Sequence, residues 1–169
     1  MTEIITPPRA QYLREDGIRG GMDLLMFAHR SHLTHADDSL AKKGLGRAHH
    51  RILYFVARKP GATISQLNDT LGVTKQSFSR VIRELIGANL VALRVGDRDR
   101  RQRLVFLTED GGRLEAELFA EMRQNMERAY TASGEQAVQG YWTMMQNLMS
   151  PDIRQRFASF HSAPIQARC

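Results

Sequence analysis

Two short β-prone runs, residues 90–95 and 102–107, are separated by only six residues, and arginines (Arg94, Arg98, Arg100, Arg101, Arg103) crowd that turn. Runs this close pair most simply as a two-stranded hairpin, whose tip is then an exposed, strongly basic loop. Few folds place such a hairpin where this chain does. It follows about 30 residues that read as two short helices joined by a tight turn, and it precedes a long amphipathic segment that opens at Thr108.

The two short helices carry explicit start and stop signals. Thr63-Ile64-Ser65-Gln66 fits a capping box, in which the threonine oxygen and the glutamine side chain each satisfy a backbone N–H that the first helical turn leaves unpaired. Ile64, Leu67 and Leu71 supply the buried side, and Gly72 suits the positive-φ turn that ends a helix. Thr74 can cap the next helix, 74–88, whose apolar stripe is Phe78, Val81, Ile82, Leu85 and Ile86. Lys75, Gln76, Ser77, Ser79, Arg80 and Arg83 are left for the other faces. Helix, tight turn, polar-headed helix and basic hairpin together describe a helix-turn-helix with a wing, an arrangement that reads DNA.

Helical spacing continues on both sides. Met22, Leu25, Met26, His29, Leu33, Ala36 and Leu40 mark a first helix over 21–40, and Ala48, Ile52, Phe55 and Val56 a second, stopped by Pro60-Gly61. After the wing, Leu114, Leu118, Met122 and Met126 mark a fifth helix ending near Tyr130. Ser133-Gly134-Glu135-Gln136 is a second capping-box candidate, opening a sixth helix (Val138, Tyr141, Trp142, Met145, Leu148, Met149) stopped by Ser150-Pro151. The expected fold is mainly α, an α+β winged helix of six helices with a two-stranded wing. The expected division is an N-terminal arm, 1–16, mobile or laid on a partner; a first dimerisation helix, 17–44; the DNA-binding unit, 45–108, with recognition helix 74–88 and wing 90–107; dimerisation helices, 109–150; and a tail, 151–169.

Charge is concentrated where this organisation needs it. Residues 74–103 hold eight basic and three acidic side chains, so five of the six net positive charges lie on that segment. That favours one polyanion-binding face over general solubility, and it disfavours use of the domain only as a protein-binding module. Enzyme signatures are absent: there is no glycine-rich phosphate loop, nucleophile elbow or His-Glu-x-x-His helix. The single cysteine, Cys169, excludes an intramolecular disulfide. No apolar run approaches the roughly 18 to 20 residues of a membrane span, and residues 1–15 lack a secretory-signal pattern, so a cytoplasmic location is expected.

With these elements placed, residues 20–150 resemble the multiple antibiotic resistance regulator (MarR) family of bacterial winged-helix transcription factors. The resemblance is carried by Asp99-Arg100-Arg101 followed by Leu107-Thr108-Glu109-Asp110-Gly111, and by Leu71 through Arg80 with Leu85 and Asn89-Leu90-Val91 following. It implies that Arg101 enters the minor groove, braced by Asp99, and that the chain is a homodimer whose terminal helices form the interface and whose two reading heads meet a pseudo-palindromic operator. It further implies a repressor released by a small, often phenolic or anionic, effector bound between the dimer helices and the winged domain. The chemistry of the residues agrees, since a narrow minor groove attracts arginine and a nearby carboxylate can orient its guanidinium. Arg98 and Arg100 are expected at phosphates, as is Arg83 unless it forms a surface ion pair. Thr74, Lys75, Gln76, Ser77, Ser79 and Arg80 line the reading end of the helix, where Gln76 can pair with adenine and a lysine or arginine with guanine.

Five of the six histidines fall between residues 29 and 50. Hydrogen-bonded structural roles, an effector pocket and a metal or pH response are all open to them. The candidate effector pocket is His29, His32, His49, Met26 and Met122, for a small anionic or aromatic ligand. Methionines four apart on three helices suit either an ordinary core or dimer interface, or a surface that repacks around ligands. No cofactor is expected. A regulator acting without an effector, as an activator or through a protein partner, is the alternative.

Overall fold

The computed structural model describes residues 4–6, 8–97 and 99–161; Arg98 and Cys169, both singled out above, lie outside them. After a single 3-10 turn at Arg9–Gln11, the chain forms α1 (Glu15–Ala41), α2 (Arg47–Arg58), β1 (Ala62–Thr63), α3 (Ile64–Leu71), α4 (Lys75–Gly87), β2 (Val91–Val95), β3 (Arg103–Leu107), α5 (Glu109–Ser133), α6 (Glu135–Leu148) and α7 (Pro151–His161). Helices α2 to α4 and the sheet make a compact head. Helices α1, α5 and α6 form an arm leading away from it.

The head closes on one core. Leu53 and Val56 of α2, Leu67 of α3, Phe78 and Leu85 of α4, Val91 and Val105 of the sheet, and Leu114 and Leu118 of α5 are all buried, with Leu40 of α1 completing the cluster. Each such side chain is worth roughly 1.5 to 3 kcal/mol relative to exposure. Ile86, at the edge of the expected stripe on α4, is 38% exposed. The stripe therefore ends at Leu85.

The capping signals work locally as the sequence predicts. Thr63 Oγ1 accepts from Gln66 N at 3.1 Å while Thr63 N donates to Gln66 Oε1 at 2.9 Å, and Gly72 turns at φ 62°. Thr74 Oγ1 and Thr108 Oγ1 accept from Ser77 N and Gly111 N at 3.2 and 3.0 Å.

The joint between α4 and α5 explains the Leu-Thr-x-x-Gly pattern. Helix α4 ends with Asn89 at φ 55°, Leu90 N donating to Leu85 O and Asn89 N to Ile86 O, which is a Schellman closure with asparagine in the place usual for glycine. Thr108 then binds the same two residues, its hydroxyl donating to Asn89 O at 2.6 Å and its N–H to Leu90 O at 3.1 Å. Asn89 Nδ2 adds a bond to Asp110 Oδ2 at 3.2 Å. A Cβ at Gly111 would collide with the Leu90 carbonyl, so only glycine permits this approach.

Four features depart from expectation. The sheet has three antiparallel strands in the order β1-β3-β2, because Ala62 and Thr63 pair with Val105 and Leu104. A two-residue strand carries no periodicity, so only the wing pair (Val91 opposite Leu107, Val95 opposite Arg103) was visible beforehand. Helix α1 starts at Glu15, inside the expected arm, supported by acidic Glu15 and Asp16 in its first turn and by a 2.6 Å Arg19–Glu15 ion pair. The Ser133 capping box does not form: α5 continues through Ser133, and Gly134 at φ 75° starts α6 with no side-chain cap. Finally, Pro151 opens a seventh helix where a tail was expected, since a first-turn proline loses no helical hydrogen bond.

Gly111→Ala is expected to lower unfolding free energy by about 3 kcal/mol through overpacking. Gly112→Ala, whose Cβ would meet nothing within 4 Å, should be neutral or mildly stabilising. Denaturant titrations in which the two variants behave alike would show that the Leu90 carbonyl is not the constraint.

Candidate nucleic-acid interface

The face of α4 opposite the core carries Lys75, Gln76, Ser77, Ser79, Arg80 and Arg83, all exposed. Phe78, Val81, Ile82 and Leu85 on the other side hold the helix in the core, so its polar face projects from a rigid base. Thr74 is exposed and serves as the N-cap. Arg83 Nε donates to Ser79 O at 3.1 Å on its own helix, rather than pairing with an acid, and Arg80 lies 3.9 Å from Glu84.

The wing tip is organised around Asp99. Asp99 Oδ1 accepts from Arg101 N at 3.0 Å and from Arg101 Nε at 3.2 Å, and the Arg101 side chain is 92% exposed. The Arg101 backbone N–H first, and then its guanidinium, hold the Asp99 carboxyl below its ordinary range, so it stays ionised at neutral pH. Gly96 N donates to Gln102 O and Gln102 N to Asp99 O, closing the turn. Not every arginine is free to reach outward. Arg103 Nη1 donates to Arg100 O at 2.9 Å, and the Arg94 guanidinium lies over the Phe106 ring, 4.5 Å from its centroid. Arg100 itself is exposed.

The histidines separate into different places. His49 joins α2 to α4: its Nδ1 accepts from Gly46 N at 3.0 Å and its Nε2 lies 2.8 Å from Glu84 Oε2. Both ring nitrogens are thereby engaged on the side of the head. His29 and His32 line a cavity of about 370 Å³ between α1, α5 and α6, together with Leu25, Asn125, Met126, Tyr130 and Tyr141. His49, Met26 and Met122 are not among the residues lining it. Met26 is 59% exposed, and on each helix a neighbouring position (Leu25, Met126) takes the expected place. On α1 the lining takes in Leu25 beside the expected His29 and His32, and on α5 it lies about a turn beyond Met122, because helical periodicity marks a face but not where facing helices part. Asn125, Tyr130 and Tyr141 escaped the sequence reading for the same reason; the tyrosine rings approach to 6.4 Å across the Gly134 bend. Among the described residues, no three His, Cys, Asp or Glu side chains stand together as a metal set.

Burial lowers the His50 pKa; Asp37 opposes the shift, and the neighbouring His32 adds to it. His32 is lowered too, by burial and by His29.

An exposed polar helix, a braced basic tip and a common buried base define a winged helix-turn-helix carried on a helical arm. Residues 43–102 match the family model described as MarR family. The chain is 41% identical over 152 residues, covering 90% of its length and 92% of the relative, to the HTH-type transcriptional regulator PetP of Rhodobacter capsulatus. Among solved structures it is similar to Streptococcus pneumoniae FabT in complex with DNA, with a TM-score of 0.69 and 16% identity over 78% of this chain and 94% of that one. CouR from Rhodococcus jostii RHA1, bound to p-coumaroyl-CoA, gives a TM-score of 0.63 and 22% identity over 76% and 90%. The chain belongs to the MarR family of helix-turn-helix transcriptional regulators, which are DNA-binding proteins rather than enzymes. Among its described residues, no helix is long and apolar enough to cross a membrane.

The buried His50 and partly buried His32 imidazoles make stability pH-dependent with a definite sign. Well above pH ~6.5 the rings are neutral in both folded and unfolded chains. As pH falls below that value the unfolded chain takes up protons that the buried rings resist, so stability declines until the lowered folded pKa is passed. The melting temperature of the native protein should therefore drop between about pH 7 and pH 5, and a His32→Asn, His50→Gln double variant should show a flatter profile. Equal slopes would remove these rings as the source.

Proposed function

We propose that this protein is a homodimeric, ligand-responsive repressor that reads a pseudo-palindromic operator with α4 and the wing. The observation that carries the reading is the Asp99–Arg101 pair: a guanidinium held forward by a carboxylate two residues earlier, on an exposed tip beside an exposed polar helix. Arg101 is assigned to the minor groove, Arg100 and Arg83 to phosphates, and Lys75, Gln76, Ser79 and Arg80 to the major groove, with Thr74 and Ser77 at the helix start. A solved relative in fold, FabT, is a complex with DNA, which supports that use of the head.

Dimerisation is supported by the arm. Every residue from 21 to 31 on α1 is exposed, Met22, Leu24, Leu25, Met26 and Phe27 among them, and α6 exposes Trp142, Met144 and Leu148. Monomeric proteins rarely leave so contiguous an apolar face in water. Paired arms would hold two heads at a set separation, as a two-half-site operator requires. The division into a head (45–108) and dimerisation helices (17–44 and 109–150) belongs to the same reading.

For the effector, the arm cavity is of a size that suits a small molecule. Its polar lining comes from His29, His32, Asn125, Ser133 and the two tyrosines, without a lysine or arginine, so an aromatic ligand with hydrogen-bonding substituents suits it better than a strongly charged anion. CouR, similar in fold, was solved bound to p-coumaroyl-CoA. Binding would move DNA affinity only by the ligand's differential affinity for the two arm arrangements.

Arg101→Ala is expected to weaken operator binding by roughly 1 to 3 kcal/mol. Gln76→Ala should change base preference more than affinity for random DNA. Mobility-shift titrations on selected and scrambled sequences test both; full affinity in the Arg101 variant, or a uniform loss on all sequences in the Gln76 variant, contradicts the assignments.

A further inference from the structure

Helix α7 crosses from the arm to the head, and its side chains hold both. On the arm side, Arg154 Nε donates to Gln146 O of α6 at 2.9 Å, and Trp142 of α6 lies 6.5 Å from the Phe157 ring and 5.7 Å from the His161 ring, with Phe157 and His161 stacked on each other. On the head side, Phe160 meets Phe55 of α2 edge-on at 5.0 Å, and the Arg58 and Lys59 cations lie 4.7 and 4.8 Å from its centroid. Phe55 packs on the buried core, so Phe160 extends that core outward.

The most telling contact is polar. Arg156 Nη1 donates to the backbone carbonyl of Asp69 at 2.7 Å. Asp69 lies in the last turn of α3, where carbonyls have no partner within the helix and a cation is favoured by the helix dipole. A second guanidinium acts at the same end, Arg51 Nη2 of α2 donating to Leu71 O at 3.0 Å. Immediately beyond is Gly72, the turn that aims α4. One guanidinium belongs to the head itself, and the other comes from a helix anchored to the arm.

We propose that α7 is a brace that sets the orientation of the reading head against the arm, with Arg156 and Phe160 as positioning residues for DNA recognition. Neither lies on the exposed face of α4 or on the wing: Arg156 acts through the end of α3 and Phe160 through α2, and neither acts on DNA. A hydrogen bond from a charged group and a partly buried aromatic edge contact add to the α4–α5 joint in holding the head against the arm. The consequence is specific: α7 matters to operators that need two heads at one spacing and not to the contact of one head with one half-site. This inference rests on the two-headed reading above.

The test uses the full-length protein and an operator selected from random DNA by the wild type. It adds a series in which the half-site spacing is changed by one or two base pairs, and a single half-site duplex. Arg156→Gln and Phe160→Ala are each expected to lose about tenfold on the best-spaced operator, as removal of one charge-assisted hydrogen bond or aromatic contact would give. They should be penalised less than the wild type when the spacing is wrong, and they should match it on the single half-site. Arg156→Lys, which keeps a donor, should recover part of the loss. Variants that keep the wild-type affinity and spacing preference overturn the brace, as do variants that lose the same factor on single half-sites and full operators. A wild type with no spacing preference instead overturns the two-headed reading itself.

Discussion

The structure depends most on the shared use of two carbonyls, those of Asn89 and Leu90, by the end of α4 and the start of α5. Thr108 binds both, caps α5 with the same hydroxyl, and brings Gly111 against the Leu90 carbonyl. The wing leaves and returns at this joint, since Val91 and Leu107 are the paired residues at its base. One knot of backbone polar groups thus sets the angle between the reading helix, the wing and the arm. A side chain at position 111, or loss of the threonine hydroxyl, disturbs all three together.

Around that joint the charged parts of the head are held rather than loose. Arg101 is almost wholly exposed, and yet its backbone and guanidinium both meet Asp99, which lowers the freedom lost when the tip meets a polyanion. The same economy separates arginines that look equivalent in sequence. Arg94 is spent on the Phe106 ring and Arg103 on the Arg100 carbonyl, leaving Arg101 and Arg100 to face outward. His49 is likewise structural in effect, linking the start of α2 to Glu84 on the back of the reading helix.

The head was largely legible beforehand because its signals are local. A capping box at Thr63, a left-handed turn at Gly72, threonine caps at 74 and 108 and alternating strands around an arginine turn each act within about four residues, the reach of a hydrogen-bonded turn. The arm was less legible. Its apolar stripes are visible, and His29 and His32 do line the cavity, but Leu25 and Met126 line it in place of Met26 and Met122, and His49 bonds Glu84 on the head instead. Ser133-Gly134-Glu135-Gln136 has the letters of a capping box, but Ser133 is itself the last residue of α5 and Gly134 takes the N-cap place of α6. Pro151 has two readings, as a stop or as a first helical residue, and only the aromatic surface of Trp142 and Phe55 waiting for Phe157 and Phe160 selects the second.

By itself, then, the sequence determined the helices of the head, the paired strands of the wing and where the excess positive charge lies, because those depend on neighbours a few residues apart. Tertiary structure alone decided which arginines stay free, which histidines meet the cavity, that β1 joins the wing, and that α7 bridges arm and head through Arg156 and Asp69, 87 positions apart. Such contacts are chosen by the shapes of packed surfaces, and no periodicity along the chain records which surfaces will meet.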